Sequence, residues 1–157
     1  MKERMNYRAA SPEAFRAMLG IENHVRGCGL EHSLLELIKT RVSQINGCAF
    51  CLDMHTKDAR AANETEQRLY LLPAWREAPF YSERERAALA WAEAVTLISS
   101  NPVSDALYDE VRRHFDEKSL VDLTLAIIGI NGWNRLAVSF RAHVGDYQPP
   151  PRKECAP

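Results

Sequence analysis

Two predicted helices meet in the stretch Gln44-Ile45-Asn46-Gly47-Cys48-Ala49-Phe50-Cys51-Leu52-Asp53-Met54-His55. Before the junction, apolar residues recur at helical spacing from Leu34 to Ile45. Asn46-Gly47 predicts the end of that helix, because glycine is common just beyond a helix C-terminus. After the junction, apolar residues keep the helical period from Cys48 to Ala62 with no breaking residue. The sequence therefore predicts two consecutive helices, with two cysteines in the first turn of the second.

Capping residues extend the helical prediction in both directions from this junction. Ser11 followed by Pro12 and Glu13 has the form of a helix start, and that helix should run toward Gly27. Ser82-Glu83-Arg84-Glu85 has the form of a capping box that opens a helix reaching Ser99. Further predicted helices run from Ser104-Asp105 to about Phe115, and from a cap at Ser119 to Val144 with a bend at Asn131-Gly132.

The predicted fold class is all-α, because no window of the sequence alternates with the period of a strand. We expect an oligomeric bundle of about six to eight helices. A chain of 157 residues is the usual size of one domain, which we place over residues 1–147. Residues 148–157 include three consecutive prolines and should form a loose, proline-rich tail.

Composition and charge favour a folded protein that binds neither nucleic acid nor membranes. Apolar residues make up 46% of the chain and charged residues 26%, close to the globular average. The net charge of −1 comes from interspersed acids and bases, so we expect no basic patch for a phosphate backbone. The segment from Met1 to Tyr7 lacks the apolar core of a signal peptide, and no stretch reaches the roughly eighteen apolar residues of a membrane span. We therefore expect a cytoplasmic protein.

The pair Cys48 and Cys51 indicates thiol redox chemistry. Free backbone N–H groups at a helix N-terminus stabilise a thiolate, and such cysteines titrate at about 3.5 to 7.5 instead of about 8.5. A second thiol one turn away can attack the oxidised sulfur, so the pair can cycle between dithiol and disulfide. His55 lies four residues after Cys51 on the same helical face, where it can exchange a proton with the thiol or a leaving group. We expect Cys51 to be the more reactive thiol, because the helix terminus and His55 both act on it.

Other interpretations of the cysteines remain open. Cys48 and Cys51 also fit a packed core, because a free cysteine behaves like a small hydrophobic residue. A zinc site needs four ligands, and no second Cys or His pair stands at zinc-finger spacing. A structural disulfide is disfavoured by cytoplasmic reduction and by the small loop that the pair would close. We expect no metal and no cofactor, and the solitary Cys28 and Cys155 are interpreted as incidental.

The sequence predicts different surroundings for two carboxylates, Glu93 and Glu36. Glu93 lies in a helix that is apolar almost all round, so its charge should be buried and should need a partner. A proton relay and a structural hydrogen bond fit that burial equally well. Glu36 falls opposite the apolar stripe from Leu34 to Ile45, and periodicity alone predicts an exposed residue there.

The stretch from Leu34 through Arg60 resembles the AhpD-like alkylhydroperoxidases of the carboxymuconolactone decarboxylase superfamily. The resemblance extends to the blocks Ala88–Ala94 and Asn131–Ala137, so that it covers most of the chain from about Phe15 to Val144. It implies an AhpD-like helical bundle and an enzyme that acts on peroxide. The spacing that carries the resemblance is that of Glu36, Cys48, Cys51 and His55.

The resemblance also implies a role for each of these residues. Cys51 would be the peroxidatic cysteine and Cys48 the resolving one. His55 would couple to Cys51, and Glu36, twelve residues before Cys48, would complete a proton relay. Phe50 departs from the pattern of the best-studied members, in which a histidine stands between the two cysteines. The decarboxylase branch lacks the cysteine pair, which argues against that activity.

Three functions compete for this sequence. The first is a thiol-dependent peroxidase that reduces hydroperoxides and is regenerated by an external dithiol, either a thioredoxin-like protein or a lipoyl-bearing adaptor. The second is a disulfide reductase, or a redox-responsive oligomeric protein, that uses the same cysteines without efficient peroxide turnover. The third is decarboxylase-like small-molecule chemistry, which would survive the loss of both thiols.

Surplus apolar surface predicts a homo-oligomer. The helix predicted over 82–99 is apolar nearly all round, and the last helix presents apolar residues on more than one face. One small bundle rarely buries the apolar faces of both helices. Soluble monomers tolerate exposed apolar patches of only about a few hundred Å². The family resemblance implies dimers, trimers or hexamers with active sites near subunit contacts, where Glu93 would find its partner.

Overall fold

The computed structural model describes residues 2–150, which form eight α-helices and include no strand. The predicted all-α class is confirmed. No helix of these residues has the length and apolar content needed to cross a membrane. Met1 and residues 151–157, which hold Cys155 and most of the predicted tail, lie outside the described residues. The helices are α1 (Tyr7–Ala10), α2 (Pro12–Gly27), α3 (His32–Ile45), α4 (Ala49–Ala61), α5 (Glu66–Leu71), α6 (Glu83–Thr96), α7 (Asp105–Arg112) and α8 (Glu117–Phe140), with a 3-10 turn at Leu72–Ala74 after α5.

Helix α6 begins where the sequence predicts it. Ser82 accepts a hydrogen bond from the backbone N–H of Glu85, and the Glu85 side chain accepts one from the backbone N–H of Ser82. This reciprocal capping box satisfies two donors that a helix start otherwise leaves unpaired. The helix ends at Thr96, before the predicted end at Ser99.

Helix α8 differs from its prediction at both ends. It begins earlier, because the side chain of Asp116 and not that of Ser119 caps it, by accepting a hydrogen bond from the Ser119 N–H. The helix continues through Asn131-Gly132. It ends before the predicted Val144, because Arg141 adopts a left-handed conformation with a φ of 54°.

Helix α3 lies at the centre of the bundle, where it packs against α4, α6 and α8. Each fully buried Val, Leu or Ile side chain contributes about 1.5 to 3 kcal/mol to folding, so a helix in this position strongly stabilises the core. Leu37, Ile38 and Val42 are fully buried. The same helix also buries polar side chains, namely Glu36, Lys39, Thr40 and Ser43.

The turn between α3 and α4 fixes the position of the two cysteines. Gly47 has a φ of +64°, in the left-handed region that glycine adopts without steric cost. The N–H of Cys48 then donates to the carbonyl of Ser43 at 3.0 Å, and the carbonyl of Cys48 accepts from the N–H of Leu52 at 2.9 Å. Cys48 is thereby the N-cap of α4, and Cys51 lies in the first turn of that helix.

After α8 the chain turns back along α4. The ammonium of Lys57 donates to the carbonyl oxygens of Gly145 at 3.3 Å and Tyr147 at 3.0 Å. The hydroxyl of Tyr147 donates to Asp58 Oδ1 at 2.7 Å. These contacts hold the end of the predicted domain beside the helix that carries the cysteines.

Candidate active site

The two cysteines of the pair are buried together at the N-terminus of α4. Cys48 and Cys51 are each 1% exposed, and both are free thiols. The sulfur of Cys48 accepts a hydrogen bond from the backbone N–H of Cys51, with 3.4 Å between sulfur and nitrogen. The unpaired N–H groups and the positive dipole end of α4 therefore act directly on Cys48.

The two thiols have pKa values on opposite sides of the ordinary thiol value. The hydrogen bond from the Cys51 thiol, assisted by backbone N–H groups, lowers the pKa of Cys48 to about 7 although burial opposes the shift. The same thiol–thiol hydrogen bond, together with burial, raises the pKa of Cys51. The shared hydrogen bond thus favours loss of one proton from the pair and disfavours loss of the second. The expectation that Cys51 is the more reactive thiol stays a prediction.

Glu36 and His55 form a buried acid–base pair between α3 and α4. Nδ1 of His55 lies 2.8 Å from Oε2 of Glu36, and the residues are 5% and 4% exposed. Burial by itself raises the pKa of Glu36, but the hydrogen bond and charge of His55, with the charge of Lys39, bring that pKa below its ordinary value. Glu36 is therefore a carboxylate at neutral pH. The periodicity prediction of an exposed Glu36 was wrong, because α4 places His55 against this face of α3 and the carboxylate is buried there.

The structure does not join His55 directly to a thiol. His55 follows Cys51 by one turn of α4, but among the described residues no direct hydrogen bond links its ring to either cysteine. The site therefore contains two neighbouring pairs, the dithiol and the Glu36–His55 pair. Proton transfer between them needs an intervening group, such as a water molecule or the substrate itself.

Glu93 is bound within its own chain. Its Oε1 accepts hydrogen bonds from Arg41 Nε at 2.8 Å and Trp75 Nε1 at 2.9 Å, and its Oε2 lies 2.6 Å from Arg76. Burial alone raises the pKa of Glu93, but these hydrogen bonds bring it below its ordinary value. The expectation that Glu93 would find its partner at a subunit contact is thus corrected. Its contacts are those of a structural ion-pair cluster, and it lies outside the lining of the cavity described below.

A buried amide that was not predicted as a site residue lies against the thiols. Asn134 is 1% exposed, its amide nitrogen donates to Ser43 Oγ at 3.1 Å, and its oxygen accepts from Asn46 Nδ2 at 2.9 Å. Its side chain also lowers the pKa of both thiols, Cys48 and Cys51, against the effect of burial. The sequence did contain a sign of this role, since a polar residue inside the apolar α8 needs partners when it is buried.

A cavity of about 560 Å³ opens beside the acid–base pair. Glu36, His55 and Phe50 belong to its lining, whereas neither cysteine does among the described residues. The volume and apolar character are typical of a small-molecule site. Much of the wall is aromatic, formed by Tyr7, Phe15, Phe50, Trp133 and Tyr147.

Three residues of this cavity are chemically able to hold a cation. The ligand atoms of Glu36, His55 and Asp58 lie within 4.8 Å of one another. Their charge is already balanced in part, because Lys39 Nζ lies 3.9 Å from Glu36 and the hydroxyl of Tyr147 donates to Asp58. The arrangement is therefore better suited to moving protons than to binding a further cation.

The chain is similar to one protein family and to an uncharacterised bacterial protein of nearly the same length. A family model described as the carboxymuconolactone decarboxylase family matches residues 12–94. The uncharacterised protein YdfG of Bacillus subtilis is 50% identical over 139 residues, which cover 88% of this chain and 95% of YdfG.

Two crystal structures share the fold. One is a protein of unknown function from Agrobacterium tumefaciens, assigned provisionally to AhpD-type antioxidant defence, with 48% identity and a TM-score of 0.89 over 93% of this chain and 100% of the other. The second is an uncharacterised peroxidase-related protein from Ralstonia eutropha with an alkylhydroperoxidase AhpD core. It is 23% identical, and the two structures align with a TM-score of 0.78 over 89% of this chain and 75% of the other. At that lower identity the likeness concerns the fold alone.

Proposed function

We propose that this chain, which belongs to the carboxymuconolactone decarboxylase family, is a thiol-dependent peroxidase that reduces hydroperoxides through Cys48 and Cys51. The observation that carries the proposal is the dithiol at the start of α4, where the pKa of Cys48 is lowered to about 7. A dithiol that loses one proton near neutral pH provides a nucleophilic thiolate and a second thiol for resolution, the two groups that peroxide reduction needs. The neighbouring Glu36–His55 pair provides the proton for the leaving alkoxide.

Cys51 is the attacking residue in this mechanism. Its proton passes along the thiol–thiol hydrogen bond to Cys48, and the resulting Cys51 thiolate attacks the terminal peroxide oxygen. The O–O bond breaks, Cys51 becomes a sulfenic acid, and the alkoxide leaves as an alcohol after taking a proton from His55. Once deprotonated, Cys51 is the stronger nucleophile of the two, because the nucleophilicity of a thiolate increases with its pKa.

Cys48 completes the reaction. Its proton returns to His55 through an intervening water, and its thiolate attacks the oxidised sulfur of Cys51. The S–OH bond breaks, the released hydroxide takes from His55 the proton that Cys48 gave up and becomes water, and a Cys48–Cys51 disulfide forms. One hydroperoxide and two thiols thus give one alcohol, one water molecule and one disulfide. The low pKa of Cys48 keeps its thiolate available for this step at neutral pH.

Glu36 has an electrostatic role in the same sequence of steps. When His55 carries an additional proton, the ring bears a positive charge in a buried position. The carboxylate of Glu36, 2.8 Å away, compensates that charge and fixes the orientation of the ring. His55 can then accept a proton from the dithiol and deliver it to the leaving oxygen without an unpaired buried charge.

The disulfide is returned to the dithiol by an external dithiol donor, either a thioredoxin-like protein or a lipoyl-bearing adaptor. The proposed setting is the cytoplasm, where such donors keep cysteine pairs reduced. Both donors act by thiol–disulfide exchange through a mixed disulfide. Because Cys48 and Cys51 are buried, the donor must reach them through a local rearrangement at the start of α4.

The proposed active unit is a homo-oligomer: a dimer, trimer or hexamer. Val121 and Ile128 stand two turns apart on α8 and are 67% and 51% exposed in the single chain. Ile98, just after α6, is 61% exposed. Burial of these side chains against further copies of the chain would remove apolar surface from water, which supports the proposal.

The test is hydroperoxide consumption by the reduced protein with several donors. Tert-butyl hydroperoxide is offered with dithiothreitol, with thioredoxin and its reductase, and with dihydrolipoamide. Cys48→Ser and Cys51→Ser should each abolish turnover, whereas the matched control Cys28→Ser, which changes a half-buried cysteine outside the site, should keep the wild-type rate.

The outcomes separate the competing functions. Turnover that depends on both cysteines supports the peroxidase. Disulfide formation with no catalytic turnover by any donor would instead identify a disulfide reductase or a redox-responsive protein. Activity on a carboxylated lactone that survives in the double serine variant would identify decarboxylase-like chemistry and overturn the proposal.

A further inference from the structure

We infer that the cavity beside Glu36 and His55 binds an amphipathic carboxylate, and that Arg8 holds its anionic group. The apolar body of this ligand, aliphatic or aromatic, would lie along the aromatic walls. The inference deepens the proposed function and rests on it in one respect: a hydroperoxide with such a body would be the substrate. Binding of the carboxylate itself does not depend on peroxidase activity.

The cations that line the cavity differ in whether they have an anionic partner. Glu22 pairs with two of them, since its Oε1 lies 2.6 Å from Lys39 Nζ and 3.4 Å from Arg26 Nε. Arg8 also lines the cavity, but no carboxylate or carbonyl oxygen of the described residues accepts a hydrogen bond from its guanidinium. The positive charge of Arg8 is therefore the one among these three that is available to a ligand.

The two other carboxylates of the cavity lining, Glu36 and Asp58, have partners other than Arg8. Glu36 is bound to His55 at 2.8 Å, and Asp58 accepts a hydrogen bond from the hydroxyl of Tyr147 at 2.7 Å. Both interactions use the carboxylates as acceptors inside the cavity wall. Neither carboxylate pairs with Arg8, so its guanidinium stays available to an anionic ligand, which Glu36 and Asp58 themselves would repel.

Aromatic rings hold the guanidinium of Arg8 at the cavity. Its central carbon lies 5.3 Å from the ring centroid of Phe15, and 5.9 Å from those of Phe50 and Tyr7. A guanidinium over aromatic faces is attracted by the ring quadrupoles and keeps its N–H groups free at the edge. Those N–H groups have the geometry for two parallel hydrogen bonds to one carboxylate.

The walls next to Arg8 suit an apolar ligand body. Phe15 packs edge-to-face on Trp133 with 5.5 Å between ring centroids, and Phe50 and His55 belong to the same lining. Phe50 is also one of the two residues between Cys48 and Cys51, so the ligand body lies beside a direct neighbour of Cys51 in the chain. At about 560 Å³ the cavity holds far more than the peroxide group and leaves room for a long chain or an aryl group.

The test compares acids with the matching alcohols in the reduced full-length protein. Decanoate is titrated against 1-decanol, and 4-phenylbutyrate against 4-phenylbutan-1-ol, by calorimetry and by the change in tryptophan fluorescence expected from Trp133. The acids should bind at least about fivefold more tightly than the alcohols, the upper end for an exposed ion pair. Arg8→Gln should remove this preference. The matched control is Arg113→Gln, which changes an exposed arginine at the end of α7 that pairs with Glu110 of the same helix. This variant should keep the preference for acids.

A kinetic arm connects binding with the proposed reaction. Arg8→Gln should raise KM for a hydroperoxide of decanoic acid about fivefold and leave KM for the uncharged cumene hydroperoxide unchanged. Equal binding of acids and alcohols by the wild type, or an acid preference that persists in Arg8→Gln, would overturn the inference. If the acid preference is found and lost as predicted but no hydroperoxide is consumed, the binding site stands and the peroxidase proposal fails.

Discussion

Replacing Glu36 with glutamine removes one charge from the buried acid–base pair and keeps an oxygen that can accept the hydrogen bond of His55. A hydrogen bond to a charged group contributes about 1.5 to 3 kcal/mol, and a neutral one about 0.5 to 1.5 kcal/mol. The difference of about 1 to 1.5 kcal/mol is lost when His55 carries a proton. Because about 1.4 kcal/mol corresponds to a tenfold change in rate, Glu36→Gln should slow oxidation of the dithiol about tenfold at neutral pH. His55→Ala removes the proton carrier itself and should slow it at least as much.

Stopped-flow mixing of the reduced protein with excess tert-butyl hydroperoxide measures this rate directly. Glu31→Gln is the matched control, because Glu31 stands just before α3, is mostly exposed, and pairs with Arg84 at 2.6 Å outside the cavity lining. Circular dichroism establishes that the helical content of each variant is unchanged. Wild-type rates in both Glu36→Gln and His55→Ala, with unchanged helicity, would refute the proton role assigned to this pair.

Three further predictions concern the thiols, the ion-pair cluster and the assembly. Alkylation of the dithiol by limiting iodoacetamide should speed up with pH through a midpoint of about 7, as the Cys48 thiol loses its proton, and should fall off below it. A rate that rises only near the ordinary thiol pKa of about 8.5 would contradict this. Glu93→Leu should lower the free energy of unfolding in urea by about 1 to 3 kcal/mol, because Arg41 and Trp75 lose a buried hydrogen-bond acceptor. A lower rate of peroxide reduction in a variant with unchanged fold would refute the structural role of Glu93. Light scattering coupled to gel filtration should give a mass well above 17.8 kDa, and a particle of that mass at micromolar concentration would exclude the oligomer.

Local rules predict the parts of this fold that depend on neighbouring residues. The capping box of Ser82 and Glu85 satisfies two backbone donors whatever the rest of the protein does, and it is present. Gly47 ends α3 in a left-handed conformation that the Asn-Gly pattern already indicates. Both cysteines lie at the helix start that follows, so the dithiol is predictable from the sequence.

The surroundings of Glu36, Glu93 and Arg8 depend on tertiary packing, which the sequence pattern does not reveal. Periodicity places Glu36 on a solvated face, but α3 has neighbours on three sides and the carboxylate is bound to His55 in the interior. Burial of Glu93 is predictable, yet its partners come from α3 and from the segment after α5, which no local pattern brings together. Arg8 belongs to the short α1, whose position over the cavity depends on aromatic contacts with distant residues such as Phe140.

The most direct measurement is a single turnover followed by mass spectrometry. Reduced protein is mixed with one equivalent of tert-butyl hydroperoxide, and the remaining peroxide and the mass of the chain are determined together. The proposed mechanism predicts one peroxide consumed per chain, loss of two hydrogen atoms, and a disulfide between Cys48 and Cys51. In Cys48→Ser oxidation should be slower, because Cys51 loses the thiolate that takes its proton, and it should stop at a sulfenic acid on Cys51. Equal peroxide consumption by the double serine variant, or a dithiol left intact while peroxide disappears, would contradict it.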